Sequence, residues 1–297
     1  VARLPDLDFQ GFVRDRKAGQ PGAAGGDFHA YAYVSDRTTR ATFERIKPIE
    51  LAVAAGVRVF KHVGKAQLLG QAVKVGSRQF PRVHAVAAQC ATTLGIPTPT
   101  LYVVNNPYLN AGTYGTNDDA FIVLHSALVD HFSDEELATV IGHECGHIHN
   151  NHVVYLTVLY YLSHMAGLVV RSVSLPALLA LRAWSRRAEI TSDRAAALCV
   201  GDLEAVVRAL AKLALGSQKL YDQLNVEAFL EQYEEAQATV GRLTEVFATH
   251  PWLPKRLLAL KYFAESRLFR RRTGRGEEGL SMEDVDEQVH RIIRVVG

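Results

Sequence analysis

The chain of 297 residues is expected to fold as an α+β protein, mostly α-helical, with a small β-sheet beside one chemically loaded helix. Three observations carry that expectation. Apolar residues recur at helical spacing along most of the chain, as in Leu137, Val140, Ile141 and Ile148. Only two short strand-like runs stand out beside turn residues, "TLYVV" (100–104) and "AFIVL" (120–124). Ser133 with Glu136 three residues on forms a capping box, which marks the start of the helix that carries His143-Glu144-Cys145-Gly146-His147.

The elements follow in order. Residues 1–38 read as an irregular N-terminal arm, punctuated at Gly19-Gln20-Pro21-Gly22 and Gly25-Gly26, in which "FHAYAYV" (28–34) could form a short strand. Residues 39–75 read as helical, with Phe43, Ile46, Leu51, Val53, Val57 and Phe60 as apolar positions and Pro48 as a break near the start. A helix over 79–94 is ended by Gly95 and Pro97. Residues 105–119, rich in Asn, Gly, Thr and Asp, read as a loop or hairpin connection. Residues 153–184 form a strongly apolar helical insertion, and a further helix over about 185–215 is interrupted at Gly201-Asp202. Helical periodicity continues over 219–240 and 254–270, with Pro254 in a first turn, and the tail from 271 is charged and then mildly amphipathic. No internal repeat is visible. The domain expectation is an arm over 1–38 and a single domain over 39–297.

Composition excludes some functions. The formal net charge is +2, with 22% charged and 48% hydrophobic residues, so no overall field draws the chain to nucleic acid. Three cysteines, Cys90, Cys145 and Cys199, are too few and too scattered for a disulfide framework and fit a reducing compartment. Residues 1–20 contain no apolar h-region, so no signal peptide is expected within them; the chain begins at Val1 and reads as a trimmed or processed form.

The H-E-x-x-H pattern carries the chemistry. Residues four apart on a helix differ by about 40° in direction and about 6 Å in height, so His143 and His147 face the same way and can hold one Zn²⁺. Glu144, one residue past the first imidazole, is placed to reach a water as general base. Chance yields about 0.03 such matches in a chain of this composition, so two satisfied structural histidines are the weaker reading. A catalytic zinc usually takes three protein ligands. The best candidate for the third is Glu189, with Asp193 four residues on along the same face to orient a ligating imidazole. An E-x-x-x-D taken alone reads as a solvated acidic face; paired with the upstream motif it reads as a ligand. Cys145 points away from the histidines and reads as a small buried residue, while His125, His131, His149, His152 and His164 read as surface or core histidines.

With its HECGH and EITSD segments, the sequence resembles the M48 metallopeptidases, a gluzincin group that includes prenyl-protein proteases and membrane quality-control proteases. The likeness runs over about 78–265 and includes "GIPTPTLYVV" (95–104), "SALVDHFSDEELATVIGHECGH" (126–147), "AEITSDRAAA" (188–197) and "THPWLPKRLLAL" (249–260). It implies a zincin-like catalytic domain with zinc ligands His143, His147 and Glu189, base Glu144, Asp193 behind a ligating imidazole to orient it, one Zn²⁺ per chain, and a protein or peptide substrate. It also implies that His250 faces the active site and helps stabilise an oxyanion; Arg256 could serve the site or be a structural ion-pair partner. In gluzincins an edge strand binds extended substrate by its backbone, which the resemblance assigns to Ala120, Phe121, Ile122 and Val123.

The expected function is thus a zinc-dependent endopeptidase. The alternative is a latent or narrow-specificity processing protease, or a binding module, acting at a membrane surface. Packing of 153–184 on the core is the first expectation, with peripheral membrane contact second and a span third, so the place of action is cytoplasmic or membrane-associated. The arginines at 267–275 read as a solvated helix end that could support docking on anionic lipid. The arm 1–38 could cover the cleft. Oligomeric state is left open.

Overall fold

The computed structural model describes residues 29–43, 70–117, 119–164, 168–237, 248 and 250–293. The elements in chain order are α1 (Val34–Phe43), β1 (Ala72–Lys74), α2 (Pro81–Leu94), β2 (Thr100–Val104), β3 (Ala111–Gly115), β4 (Ala120–His125), α3 (Ser126–His131), α4 (Asp134–His149), α5 (Val153–His164), α6 (Leu168–Val200), α7 (Leu203–Leu215), α8 (Gln218–Tyr221), α9 (Val226–Gln237), α10 (Leu253–Ala264), α11 (Arg267–Arg272) and α12 (Met282–Ile293). The mostly helical α+β class is as expected.

Local chemistry explains the boundaries. Helix α2 starts with Pro81 in its first turn and stops at Gly95, whose φ of 69° is left-handed. Ile96 N–H closes back on the Ala91 carbonyl at 3.0 Å and Gly95 N–H on Thr92 at 3.2 Å, a Schellman ending. Helix α4 begins with the expected capping box: Ser133 Oγ accepts from Glu136 N–H at 3.3 Å, and Glu136 accepts from Ser133 N–H at 2.9 Å. Glu136 is itself buried, with its carboxylate 2.6 Å from Lys212 on α7.

The sheet has the order β1-β2-β4-β3, with β2 and β4 parallel and the outer pairs antiparallel. Three expectations are corrected here. Residues 111–115 are a strand rather than part of a loop, because β3 pairs along its whole length with β4 in a hairpin, Ala111 opposite Leu124 and Gly115 opposite Ala120. The run 120–124 is therefore no edge. Phe121, Ile122 and Val123 lie between two partners, so their backbone is not free for strand addition, while Ala120 is paired with Gly115 of β3. Residues 72–74 are strand β1 rather than the end of a helix.

The segment 28–34 is also different from expectation: residues 29–33 form turns and helix α1 begins at Val34, inside the supposed arm. Residues 1–28 and 44–69, which hold most of the arm and the expected helix with Ile46, Leu51 and Phe60, lie outside the described residues.

Helix α4 runs through the core. Its Leu137, Ile141 and Cys145 are fully buried, among Cys90 of α2, Leu124 of β4 and Ala195 of α6. Two glycines let α4 and α6 approach closely. A Cβ on Gly146 would stand 2.7 Å from Ala195 Cβ and 3.0 Å from Ser192 Cα, and one on Gly142 would stand 3.0 Å from Cys199 Cβ. That close crossing brings the middle of α6 against the histidine face of α4. No helix among the described residues is long and apolar enough to cross a membrane.

Candidate metal centre

Helix α4 supplies His143 and His147, one turn apart. Helix α6 supplies Glu189 and Asp193, one turn apart on the facing side. One ligand atom from each of His143, His147 and Glu189 falls within 4.8 Å of the others. The two Nε2 atoms are 3.1 Å apart, His143 Nε2 lies 3.4 Å from Glu189 Oε2, and His147 Nε2 lies 3.4 Å from Glu189 Oε1.

These separations suit a metal ion. Tetrahedral zinc with bonds of about 2.1 Å holds its ligand atoms about 3.4 Å apart. A second observation agrees. Glu189 Oε2 is buried and receives no aligned hydrogen bond, although His250 Nδ1 comes within 2.8 Å of it. A buried carboxylate oxygen with no aligned donor keeps lone pairs for a cation. The residues present therefore fit a divalent metal bound by two imidazoles and a carboxylate.

The supporting groups orient the ligands. Asp193 Oδ1 lies 2.9 Å from His143 Nδ1, which leaves Nε2 as the lone-pair nitrogen at the centre. Arg256 on α10 grips the same carboxylate twice, Nε on Oδ2 at 2.8 Å and Nη2 on Oδ1 at 2.6 Å. Arg256 is thus the ion-pair partner of Asp193, with Nη1 3.7 Å from Glu189 as well. His250 stands at the rim, its side chain 61% exposed, against Glu189.

Electrostatics follow from burial and charge. Burial works against the His143 imidazolium, but the Glu189 charge and the Asp193 hydrogen bond overcome it and push its pKa up to about 10. Burial likewise works against an ionised Glu189, yet the charges of His250 and His143 hold its carboxyl well below the usual range. Asp193, also opposed by burial, is held down by Arg256. For His147 burial prevails and the pKa falls.

Glu144, one residue past His143 on α4, reaches the sheet. Thr113 Oγ1 on β3 donates to Glu144 Oε2 at 2.5 Å, which ties the carboxylate to the edge strand. Sequence reasoning missed Thr113 because "NAGTYG" has loop composition. It also missed a buried network behind His147. His147 Nδ1 lies 3.0 Å from Ser192 Oγ and 3.1 Å from His152 Nδ1, and His152 Nε2 lies 2.9 Å from Asp36 Oδ2 on α1. A histidine five residues past the second ligand was the only available signal; nothing at Asp36 announced it. Cys145 is fully buried and faces the core, as expected.

The sequence profile of peptidase family M48 matches residues 77–264. The chain is 36% identical over 182 residues to the plastoglobule-localized metallopeptidase 48, chloroplastic, of Arabidopsis thaliana, covering 58% of this chain and 52% of that protein. It is 25% identical over 222 residues to a protease HtpX homolog of Moorella thermoacetica, covering 64% of this chain and 74% of that one. It is 30% identical over 215 residues to protease HtpX homolog 1 of Streptomyces coelicolor, covering 62% and 71%. The chain thus spans about half the length of the Arabidopsis relative. No solved structure matches it. The profile covers more than half of the chain and contains both segments that bring His143, His147 and Glu189 together, and the chain belongs to peptidase family M48, a family of metallopeptidases.

Proposed function

We propose that this chain is a zinc-dependent endopeptidase whose metal is held by His143, His147 and Glu189. The observation that carries the reading is the convergence of those three side chains with Glu144 beside them, tied to the edge of the sheet. Zinc, when bound, supplies Lewis acidity that makes a water more acidic and a carbonyl more electrophilic.

The chain's own residues supply the rest. Glu144 takes a proton from the attacking water and passes it to the leaving amine. Thr113 holds one oxygen of that carboxylate and so directs the other. His250, exposed at the rim beside Glu189, is placed to donate to the developing oxyanion.

Substrate binding moves from β4 to β3. Among the described residues no strand pairs with the outer side of β3. Thr157 of α5 both donates to the Gly115 carbonyl at 3.1 Å and accepts from its N–H at 3.2 Å, so the backbone of Gly115 faces outward. Antiparallel alternation then turns the N–H and C=O of Ala111 and Thr113 outward too. An extended peptide laid along them would pass beside Glu144, which accounts for cleavage with little demand on side-chain sequence.

Metal content and casein hydrolysis of the wild type and Glu144→Gln test the reading together. One zinc per chain with cleavage only by the wild type is expected. A zinc-free protein after reconstitution, or a Glu144→Gln variant that cleaves as fast as the wild type, overturns it. A narrower role at a membrane surface has one support, the location printed in the name of the Arabidopsis relative. Co-sedimentation with anionic vesicles tests the contact through 153–184, and protein that stays in the supernatant removes it.

A further inference from the structure

We infer that Asp36 and His152 form a positioning relay that sets the proton on His147 Nδ1 and so presents its Nε2 lone pair to the metal; this rests on the metal-centre reading above.

The relay is buried. Asp36 is 1% exposed and His152 is 0% exposed. Asp36 Oδ2 takes the His152 Nε2–H at 2.9 Å and the Thr191 hydroxyl at 2.7 Å, while Oδ1 takes the Trp184 indole N–H at 2.8 Å. A carboxylate only accepts, so His152 must carry its proton on Nε2. In neutral His152, Nδ1 is then an acceptor, and it faces His147 Nδ1 at 3.1 Å. His147 satisfies that acceptor by holding its own proton on Nδ1, which frees Nε2, the atom 3.4 Å from Glu189 Oε1. Ser192 Oγ is also near His147 Nδ1, at 3.0 Å, but a hydroxyl can donate or accept and selects no tautomer by itself.

The arrangement is the counterpart of Asp193 on His143, with one imidazole interposed. It differs in origin. Asp36 lies on α1, outside the span matched by the family profile, so a segment beyond the matched span completes the orientation of a ligand inside it.

The chemistry makes a sharp test. In Asp36→Asn the amide must offer oxygen to one side and NH₂ to the other. Trp184 Nε1–H can only donate, so the amide oxygen turns to it and the NH₂ turns to His152. His152 then accepts on Nε2 and moves its proton to Nδ1, and His147 is pushed to carry its proton on Nε2. Zinc affinity, read by chelator competition on folded protein, is expected to fall about 10–100-fold. Adding Trp184→Phe removes the donor that held the amide oxygen and lets it turn to His152. The double variant is expected to recover at least about half of the loss on a logarithmic scale, although it has lost one more buried hydrogen bond. A merely structural role predicts further loss instead.

Imidazole ¹⁵N shifts of the zinc-loaded wild type give an independent reading and are expected to show His152 protonated on Nε2 and His147 on Nδ1. An unchanged affinity in Asp36→Asn, a double variant weaker than the single, or His152 protonated on Nδ1 overturns the relay while leaving the metal centre standing. A wild type that binds no zinc overturns the metal centre, and the relay with it.

Discussion

Helix α6 meets the rest of the molecule through two buried polar clusters that obey different rules. One face, with Glu189 and Asp193, meets the imidazoles of α4 and Arg256 of α10. Another, with Thr191 and Arg194, meets the ends of the described chain. Thr191 donates to Asp36 of α1 and accepts from the Tyr33 N–H, and Arg194 lies 2.7 Å from Asp286 of α12 and donates to the Tyr31 carbonyl. Tyr33 and Phe263 cover the Arg194 guanidinium at 5.5 and 5.4 Å from their ring centres. The first cluster gathers two carboxylates and two imidazoles around one point, as the proposed metal requires. The second carries its own cation in Arg194, paired with Asp286.

Breaking each cluster separates the two. The largest effect is expected from Glu189→Ala, which removes one of the three proposed ligands: zinc stoichiometry near zero by metal analysis and no casein cleavage, with helical content by circular dichroism retained. Full zinc occupancy in that variant would strike Glu189 from the ligands. Next is Glu144→Gln, expected to keep zinc and lose about 10²–10⁴-fold in turnover. Arg194→Met strikes the other cluster. It leaves Asp286 buried without its partner and is expected to cost about 3 kcal/mol in urea unfolding while zinc stoichiometry stays unchanged. A loss of zinc there would show that the clusters are not separable.

Gly146→Ala sits between the two. Its Cβ would meet Ala195 at 2.7 Å across α4 and α6, so a cost of about 1–3 kcal/mol and weaker zinc binding are expected. The smallest effect is acid sensitivity. Burial raises the Asp36 carboxyl, but His152 beside it and the Thr191 hydroxyl outweigh that and hold it below its ordinary 3.8. A depressed carboxyl contributes stability above its unfolded pKa and loses it as pH falls through the folded one. The zinc-free wild type should therefore lose stability more steeply than Asp36→Asn below about pH 4. Parallel acid-unfolding curves would contradict this.

How much of each cluster could be read beforehand follows from the same contrast. Metal ligation restricts residue type and spacing, so His143, Glu144 and His147 stand out on a helix whose start is written in Ser133 and Glu136. Glu189 with Asp193 needed the upstream motif to be more than an acidic face, and Arg256 stayed undecided until its guanidinium was seen on Asp193. The clamp uses Tyr31, Tyr33, Asp36 and Asp286, ordinary residue types far apart in the chain, and the arm reading of 1–38 followed from that lack of pattern. Strand β3 failed for a related reason: Gly, Thr and Asn suit loops, and only pairing with β4 makes them a strand.

The features legible in the chain are local: the helix starts and stops, the apolar stripes, and the spacing that puts two imidazoles on one face. These depend on groups within a turn or two of one another. Only the packing of distant segments makes β3, and not β4, the edge strand beside Glu144 among the described residues. The same packing decides that Gly142 and Gly146 let α6 approach until Glu189 meets the histidines, and that Asp36 reaches His147 through His152. Those outcomes depend on which distant segments pack together, and hydrogen bonds and close contacts between such segments leave no spacing rule in the chain.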